Sequence, residues 1–596
     1  MKSIDAAAPQ RDYQALQFPY RKAPDHGAGA PLRYPVAVVG AGPVGLALAI
    51  DLAQQGIPVL LLDNDDRLSS GSRAICFAKR TLEIFDRLGC GQKLVEKGVS
   101  WSVGKVYFRD AQIYSFNLLP ERGHERPAFI NLQQYYVEGY LTDRAADLSN
   151  IDMRWKSAVV GAEPRADHVR LTVDTPDGAY VVEAGYVAAC DGSKSAMRGL
   201  LGVQARGRTF RDRFLIADIE MDAPDFPVER RFWFDPCFHP GQSVLLHKQA
   251  DGLWRTDFQL GWEADPQQER RRENIRPRVR ALLDSIGAPD IRFEIAWASV
   301  YTFACQRLQS FRHGRVFFAG DAAHGVSPFG ARGANSGVQD AENLAWKLAA
   351  VLQRRAGDPL LDTYGLEREA AADENIRHST RATDFITPKS EVSRLFRDAT
   401  LDLAKSYAFA RSLVNSGRLS VATTLHGSPL NTPDDAQFAG AMVPGAAAAD
   451  APVEVDGEAG WLLRQLQGST FTALLFSSQD VAATVRELHD AAQHLSSRRA
   501  PGSSAPVAGW IPAFAGMAAL EARVPLQVLI VAARGACAKA EGARILVDLH
   551  GLLAQRYDGR SGTLYLLRPD QHVCARWRSA QADQLRAALR RALALS

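Results

Sequence analysis

The run Tyr34-Pro-Val-Ala-Val-Val-Gly-Ala-Gly-Pro-Val-Gly45 decides the fold of this chain. Residues 34–39 are apolar and β-branched, as a buried strand requires, and 46–55 carry helical spacing that Gly56 stops. Residues 58–62 form a second apolar strand that ends at Asp63, so the whole reads as a βαβ unit. Gly40, Gly42 and Gly45 stand as G-x-G-x-x-G at its first turn. The first glycine permits the tight turn, the second admits a pyrophosphate, and the third lets helix and strand pack closely. The helix N-terminus adds partial positive charge. Asp63 is placed to accept from ribose hydroxyls. This pattern predicts dinucleotide binding and by itself leaves FAD and NAD both open.

Working outward, the chain has 596 residues, with 70 basic and 67 acidic side chains and a net charge of +3. That balance gives no electrostatic footprint for nucleic acid or an anionic membrane. The longest apolar runs, 59–62 and 528–533, fall far short of the ~20 residues that span a bilayer, and the polar N-terminus lacks a signal peptide's apolar stretch. Seven scattered cysteines contain no C-x-x-C pair, so neither a disulfide framework nor a metal site is indicated. A reduced, cytoplasmic protein is the expectation.

Residues 1–33 read as an extended arm. From 206 to 300, aromatic-rich segments at 231–234, 243–247 and 254–260 alternate with Pro, Gly and Asp, which predicts an antiparallel sheet. A buried strand returns at 315–319 and a long helix follows at 337–354. Residues 391–439 are helical in pattern, 440–457 form a Gly/Ala/Pro/Asp-rich linker, and 458–596 form a last α/β unit.

Two further motifs narrow the cofactor. A strand ends in Ala189-Cys-Asp-Gly-Ser-Lys-Ser-Ala-Met-Arg198. Another ends in Ala319-Gly-Asp-Ala-Ala-His-Gly-Val-Ser-Pro-Phe-Gly-Ala-Arg-Gly-Ala-Asn335, followed by Asp340, Asn343, Trp346 and Lys347. With the glycine turn, these resemble, in order and over about residues 34–390, the single-component flavoprotein aromatic hydroxylases of the p-hydroxybenzoate hydroxylase and phenol hydroxylase group. Ala189 and Met197 depart from that group's usual Gly and Val.

The resemblance implies FAD, held in part by Asp321 at the ribityl chain. It also implies a loop 328–335 whose Gly333, Ala334 and Asn335 lead a helix N-terminus toward the flavin pyrimidine edge, and Pro328 beside the oxygen-reacting face. It implies cofactor contacts for Asp191, for Arg73 and for Gln134, with Gln133 making that last register ambiguous. His324 belongs to the shared GDAAH signature, which points to a structural or cofactor-side role. The implied halves of the FAD domain are 34–205 and 301–390, with 206–300 as the substrate sheet.

The implied reaction is hydroxylation of a small phenolic substrate by a flavin C4a-hydroperoxide, using NADH or NADPH and O2, in a homodimer. Along strand 254–260 the polar residues Arg255, Asp257 and Gln259 alternate with Trp254, Thr256 and Phe258. Asp257 and His247 are the candidate acceptors for a phenol proton, with Arg231, Trp233 and His239 near them. The stretch 558–577 resembles the thioredoxin-like C-terminal domain of the phenol hydroxylase and 3-(3-hydroxyphenyl)propionate hydroxylase types. Cys537 and Cys574 are far apart, so packing or dimerisation is expected of it rather than disulfide exchange. The expected fold class is thus α/β: a Rossmann-like FAD-binding domain interleaved with an antiparallel substrate sheet, plus a thioredoxin-like tail. The same fold also serves epoxidation, Baeyer–Villiger oxidation, reduction and halogenation. Halogenation is disfavoured because W-x-W-x-I-P is missing from the flavin domain and Gly509-Trp-Ile-Pro512 lies in the tail. A non-catalytic flavoprotein or redox partner is the third reading.

Overall fold

The computed structural model describes residues 13, 16–69, 74–223, 225–414, 419–466, 468–493, 495, 524–535, 541–579 and 581–595. Arg73, Cys537 and the 509–512 stretch lie outside the described residues.

The first sheet is built on Leu32–Val39, which pairs in parallel with Val59–Leu62 on one side and Tyr180–Ala189 on the other. The ladder to Val59–Leu62 begins at Val36, just past Pro35, whose missing N–H has no place in a central ladder. Val316–Phe318 extends the parallel set beyond Tyr180–Ala189, and Ile151–Arg154 extends it beyond Val59–Leu62. Helices Pro43–Gln54 and Gly333–Leu352 pack against each other. Consequently the ends carrying Gly40, Asp63, Asp191 and Asp321 all fall at the C-terminal edge of one parallel sheet, where such folds bind ligands.

The second sheet has seven strands in the order Phe293–Tyr301, Arg213–Met221, Leu253–Leu260, Ser243–Lys248, Arg230–Phe234, Val103–Phe108 and Ala111–Asn117. Two features differ from the sequence reading. The last two strands come from the 34–205 segment, so part of that segment belongs to the substrate sheet. The pairing of Arg230–Phe234 with Val103–Phe108 is parallel, so the sheet is mixed. Register explains both: Val106 and Phe108 lie opposite Phe232 and Phe234 and continue one apolar stripe. Helix Arg272–Ser285 covers the far face through Ile275, Val279, Leu282 and Leu283, packed with Trp233, Trp254 and Phe258. Both faces of this sheet are therefore buried.

The C-terminal sheet centres on Phe471–Phe476, parallel to Leu526–Ala533, which is in turn parallel to Arg544–Asp548. Leu564–Leu567 runs antiparallel on the other side and Val573–Trp577 closes the hairpin. The expected 440–457 linker is not a free tether. Ala446, Ala448 and Ala451 are buried against Leu553, Tyr557 and Val573, and Pro452–Val455 is a strand of the sheet. Alanine is small enough to fill a close-packed seam, which composition alone does not separate from a linker. In 391–439 the helices are Glu391–Ala404 and Ala408–Leu413, and the described residues from 419 on are irregular.

The tail is locked to the flavin-side region by a buried ionic cluster. Arg568 reaches Glu367 and Asp570, each at 2.5 Å, Lys347 reaches Glu367 at 2.7 Å, and the Trp346 indole donates to Asp570 at 3.0 Å. Burial pulls the Lys347 ammonium down to about 8, while Glu367 partly supports its charge. Among the described residues no helix is long and apolar enough to cross a membrane.

Candidate active site

The glycine turn is shaped by contacts that a side chain would break. Gly40 has φ +105°, and a Cβ there would sit 2.6 Å from the Cys190 carbonyl oxygen. At Gly45 a Cβ would fall 1.9 Å from the Gly40 oxygen. Gly42 behaves oppositely: its φ is −74° and a Cβ there would meet nothing within 4 Å. The space in front of Gly42 is thus open, at the N-cap of a helix with no side-chain cap. Asp63 closes the turn, accepting the Ala41 N–H at 2.6 Å through Oδ2 and the Asp65 N–H at 2.8 Å through Oδ1. Burial raises its carboxyl and these two N–H groups oppose the rise. One lone pair on each oxygen is left for a ribose.

The other motifs converge on the same edge. Gly320 (φ +60°) and Gly337 both press on Val44 of the glycine turn: a Cβ would come within 2.9 Å of it from the first and 2.7 Å from the second. Asp340 accepts the Gly320 N–H at 3.0 Å, contacts His324 Nε2 at 2.7 Å and takes Arg368 Nε at 2.6 Å. Burial pushes the Asp340 carboxyl up, but His324 and Arg368 together hold it below its ordinary range. His324 therefore braces the Gly-Asp turn from behind. Asp191 accepts the Met197 N–H at 2.9 Å through Oδ2, while its buried Oδ1 has no partner. Arg198 ties this motif to the next by donating to the carbonyls of Asp321 and Ala322, each at 3.2 Å. Asp321 itself is exposed at the edge.

Pro328 is exposed, whereas Phe329 turns inward against Phe214 and Phe303. Gly333, Ala334 and Asn335 form the first turn of Gly333–Leu352, which has no side-chain cap and no acidic residue there. The Asn335 side chain is committed to protein: it accepts from Ala78 N–H and donates to the Cys76 and Ala331 carbonyls. What Asn335 offers a cofactor is thus its backbone. Gln134 Oε1 accepts the Ala74 N–H at 3.1 Å and its Nε2 donates to Glu138 at 2.8 Å. Gln133 instead is buried and donates to the Ala250 carbonyl through Nε2, while its Oε1 has no hydrogen-bond partner among the described residues. The open cradle at Gly42, the orphaned Asp191 oxygen and the uncapped helix N-terminus are a donor and acceptor set that fits FAD. Among the described residues no group of His, Cys, Asp and Glu could hold a metal.

Behind the 328–335 loop, a small cavity of about 20 Å³ is lined by Phe116, Phe232, Phe329, Gly330, Ala382, Ile386 and Leu419, with Lys105 and Arg230. Asp257 and His247 lie on the same sheet face as Arg230, as the pairing of their strands requires. Asp257 Oδ1 and His247 Nε2 are buried and without hydrogen-bond partners among the described residues. Burial lifts the Asp257 carboxyl to about 6 against the pull of Arg255 and Arg230. Burial, with the same two arginines, drives His247 well below the usual imidazole range. Its Nδ1 faces the Asn131 amide nitrogen, a donor, which leaves the proton on Nε2.

Arg231 and Trp233 do not join them. They point to the opposite face, where Arg231 pairs with Glu229 at 2.7 Å and Trp233 stacks on Tyr107. His239 is spent on the Gln259 carbonyl. The residues that sequence reasoning passed over are Arg230 in the cavity wall and Asn131 and Cys76, which face His247 Nδ1. The one available signal was parity: Phe232 and Phe234 share a face with Arg230, not with Arg231.

The family model described as FAD binding domain matches residues 33–379. A 3-(3-hydroxy-phenyl)propionate/3-hydroxycinnamic acid hydroxylase of Mycolicibacterium smegmatis is 31% identical over 363 residues, 61% of this chain and 63% of the relative. A 6-methylpretetramide 4-monooxygenase of Streptomyces rimosus is 32% identical over 380 residues, 62% of this chain and 65% of the relative. The matched part of the chain thus spans just under two thirds of these relatives. The crystal structure of the flavin-dependent monooxygenase PieE, in complex with FAD and substrate, superimposes with a TM-score of 0.76 at 22% identity, covering 95% of this chain and all of PieE. With more than half of its length matched, and the cradle that the match requires in place, the chain belongs to the FAD binding domain family.

Proposed function

We propose that this protein is an FAD-dependent monooxygenase that hydroxylates a phenolic aromatic substrate with NADH or NADPH and O2. The observation that carries the reading is the small aromatic-lined cavity behind the Pro328–Asn335 loop, with Asp257 Oδ1, buried and without a hydrogen-bond partner among the described residues, on the same sheet face. The hydroxylases and monooxygenases among the relatives support it.

Gly42, Asp63, Asp191, Gln134 and Asp321 are assigned to the cofactor's pyrophosphate, ribose and ribityl parts, and Arg73 to a cofactor contact, as the resemblance implies. The Gly333, Ala334 and Asn335 N–H groups are assigned to the flavin's pyrimidine edge, where a helix N-terminus favours negative charge without a formal cation. Bound FAD supplies electron transfer from the nicotinamide and activation of O2. The chain's own residues do the rest. Phe116, Phe232, Phe329 and Ile386 exclude water and hold a ring flat. Asp257 Oδ1, ionised above about pH 6, takes the phenol proton and raises electron density on the ring. His247 is too weak a base for that task and offers Nε2–H to the substrate oxygen instead. Pro328 shields the face turned to oxygen. The C-terminal sheet is read as thioredoxin-like, with a packing role that its Arg568–Asp570 anchor supports.

The test is a screen of phenols for acceleration of NAD(P)H consumption by the yellow protein, with the products identified. Ring-hydroxylated products are expected. Acceleration with the phenol always recovered unchanged would refute the assignment.

A further inference from the structure

Helix Glu391–Ala404, capped by Ser390 and Ser393, presents three faces. Arg397, Thr400, Leu401 and Ala404 are buried on the first. Leu401 and Ala404 there join the apolar core that holds Phe232, Phe329, Ala382 and Ile386 of the cavity wall. Val392, Leu395, Phe396 and Leu403 recur at helical spacing on a second face, from 44% exposed at Leu403 to 77% at Val392. Ala399, also exposed, completes that stripe. Glu391, Arg394, Asp398, Asp402 and Lys405 fall on the third face, along one edge of the stripe.

Half of the exposed large apolar side chains among the described residues fall between 392 and 413. Tyr407, Phe409 and Leu413 follow the stripe into helix Ala408–Leu413, which folds back so that Arg411 donates to the Ala404 and Lys405 carbonyls. Monomeric proteins seldom leave so much apolar surface to water. The charged edge says what covers it. Read forward, positions 391, 394, 398, 402 and 405 are acid, base, acid, acid, base; read backward, the signs at both ends reverse. Two copies of the helix laid antiparallel about Asp398 therefore set Glu391 of each beside Lys405 of the other, and Arg394 beside Asp402. Antiparallel packing brings the same edge of each helix together, as these pairs require. To within a residue the same overlay puts Val392 against Leu403 and Phe396 against Ala399. A parallel overlay sets every charge against its like. Asp398, at the centre, is already matched by Arg397 at 2.8 Å, and the exposed Lys405–Asp402 pair costs little to exchange. The edge has no surplus of cations to favour an anionic lipid surface.

We propose that a second copy of this chain docks on this face, with the two Glu391–Ala404 helices packed antiparallel across a two-fold axis. Such an interface is isologous, so it closes at two copies. It lies on the helical segment and not on the C-terminal sheet. A stable interface buries about 800 Å² per partner, and the stripe with Tyr407, Phe409 and Leu413 offers each copy a patch of large side chains of that order. The inner face of the same helix belongs to the core behind the cavity, so pairing backs the cavity wall from outside. The inference stands apart from the reaction catalysed.

The test is the mass of the FAD-loaded full chain in solution, by sedimentation equilibrium over a concentration series. A dimer is expected. Phe396→Glu should raise its dissociation constant about 100-fold or more, with flavin content and circular dichroism unchanged because the position is exposed. Arg394→Glu sets like charges together and should weaken the dimer about tenfold or more. Adding Asp402→Arg in the same chain should recover most of that loss, since the exchange restores both pairs. A monomer at every concentration overturns the proposal. So does a dimer that survives Phe396→Glu, which would assign pairing to another face such as the C-terminal sheet. A double charge exchange that fails to recover the dimer overturns the antiparallel arrangement. A monomer that floats with phosphatidylcholine vesicles, and ceases to in Phe396→Glu, would assign the stripe to a lipid surface instead. None of these readouts involves turnover, so a dimer of this kind stands or falls separately from the hydroxylase reading.

Discussion

Asn335 and Cys76, far apart in the chain, are joined by a buried hydrogen bond of 2.9 Å from the Asn335 amide to the Cys76 carbonyl. The same side chain accepts the Ala78 N–H at 2.8 Å. The helix that begins at Gly333 therefore grips the strand Cys76–Ala78 through one side chain. Asn335→Ala leaves a buried N–H and carbonyl unsatisfied. It should destabilise the protein by about 2–3 kcal/mol in urea denaturation and loosen flavin retention. An unchanged denaturation midpoint would count against this role.

Gly42 and Gly45 separate binding from folding. Gly45→Ala forces a Cβ to 1.9 Å from the Gly40 oxygen and should give misfolded or much less stable protein. Gly42→Ala meets no protein atom and should keep the stability of the apoprotein while weakening FAD binding at least about tenfold, since the added methyl enters cofactor space. Equal FAD affinity in Gly42→Ala and wild type would contradict the cradle.

Asp257 links pH to both activity and stability. Its carboxyl is raised from 3.8 to about 6 by burial, so between those values the folded state holds a proton that the unfolded state has lost. Stability from this group is fully present at low pH and is lost as pH rises to about 6, at a cost of about 3 kcal/mol above it. Asp257→Asn should therefore be more stable than wild type at pH 8, by up to that amount, with the gain vanishing near pH 3.5. Over the same range, wild-type kcat/KM should rise with pH through about 6, and the variant should lose that limb along with about 100-fold or more in kcat. Stability curves and pH–rate profiles of the two proteins check both signs.

Asp570 anchors the C-terminal sheet. It accepts from Arg568 at 2.5 Å and from Trp346 at 3.0 Å with no exposure of its side chain. Asp570→Ala leaves Arg568 short of a buried partner and should cost about 3–5 kcal/mol. Asp583→Ala, in an exposed pair on the last helix, should leave stability unchanged. Chemical denaturation of both variants decides between an integral tail and an independent one. Two separate transitions in wild type would favour independence.

The nucleotide cradle was legible because it is local chemistry. Gly45 is demanded by backbone approach within its own turn, Gly40 and Gly320 adopt positive φ at theirs, and Asp63 ends the strand that the βαβ pattern predicts. The cavity was not legible, because both faces of the substrate sheet are buried. Alternation marks two faces without saying which one meets the flavin side, so Arg231 and Trp233 read as well as Arg230 and Phe232. The strands at 103–117 were hidden for a related reason. They complete their sheet only through partners more than a hundred residues away, and nothing in a short window announces such a pairing. Asp257 and His247 were found by residue type, but their division of labour came only from burial and from Asn131 facing Nδ1.

The most direct measurement is turnover of the FAD-loaded protein with NAD(P)H and a panel of phenols under oxygen-18 gas. The account predicts a ring-hydroxylated product carrying one labelled oxygen atom, formed in step with nicotinamide oxidation. Nicotinamide oxidation that yields only labelled hydrogen peroxide, with every aromatic recovered unlabelled, would contradict it.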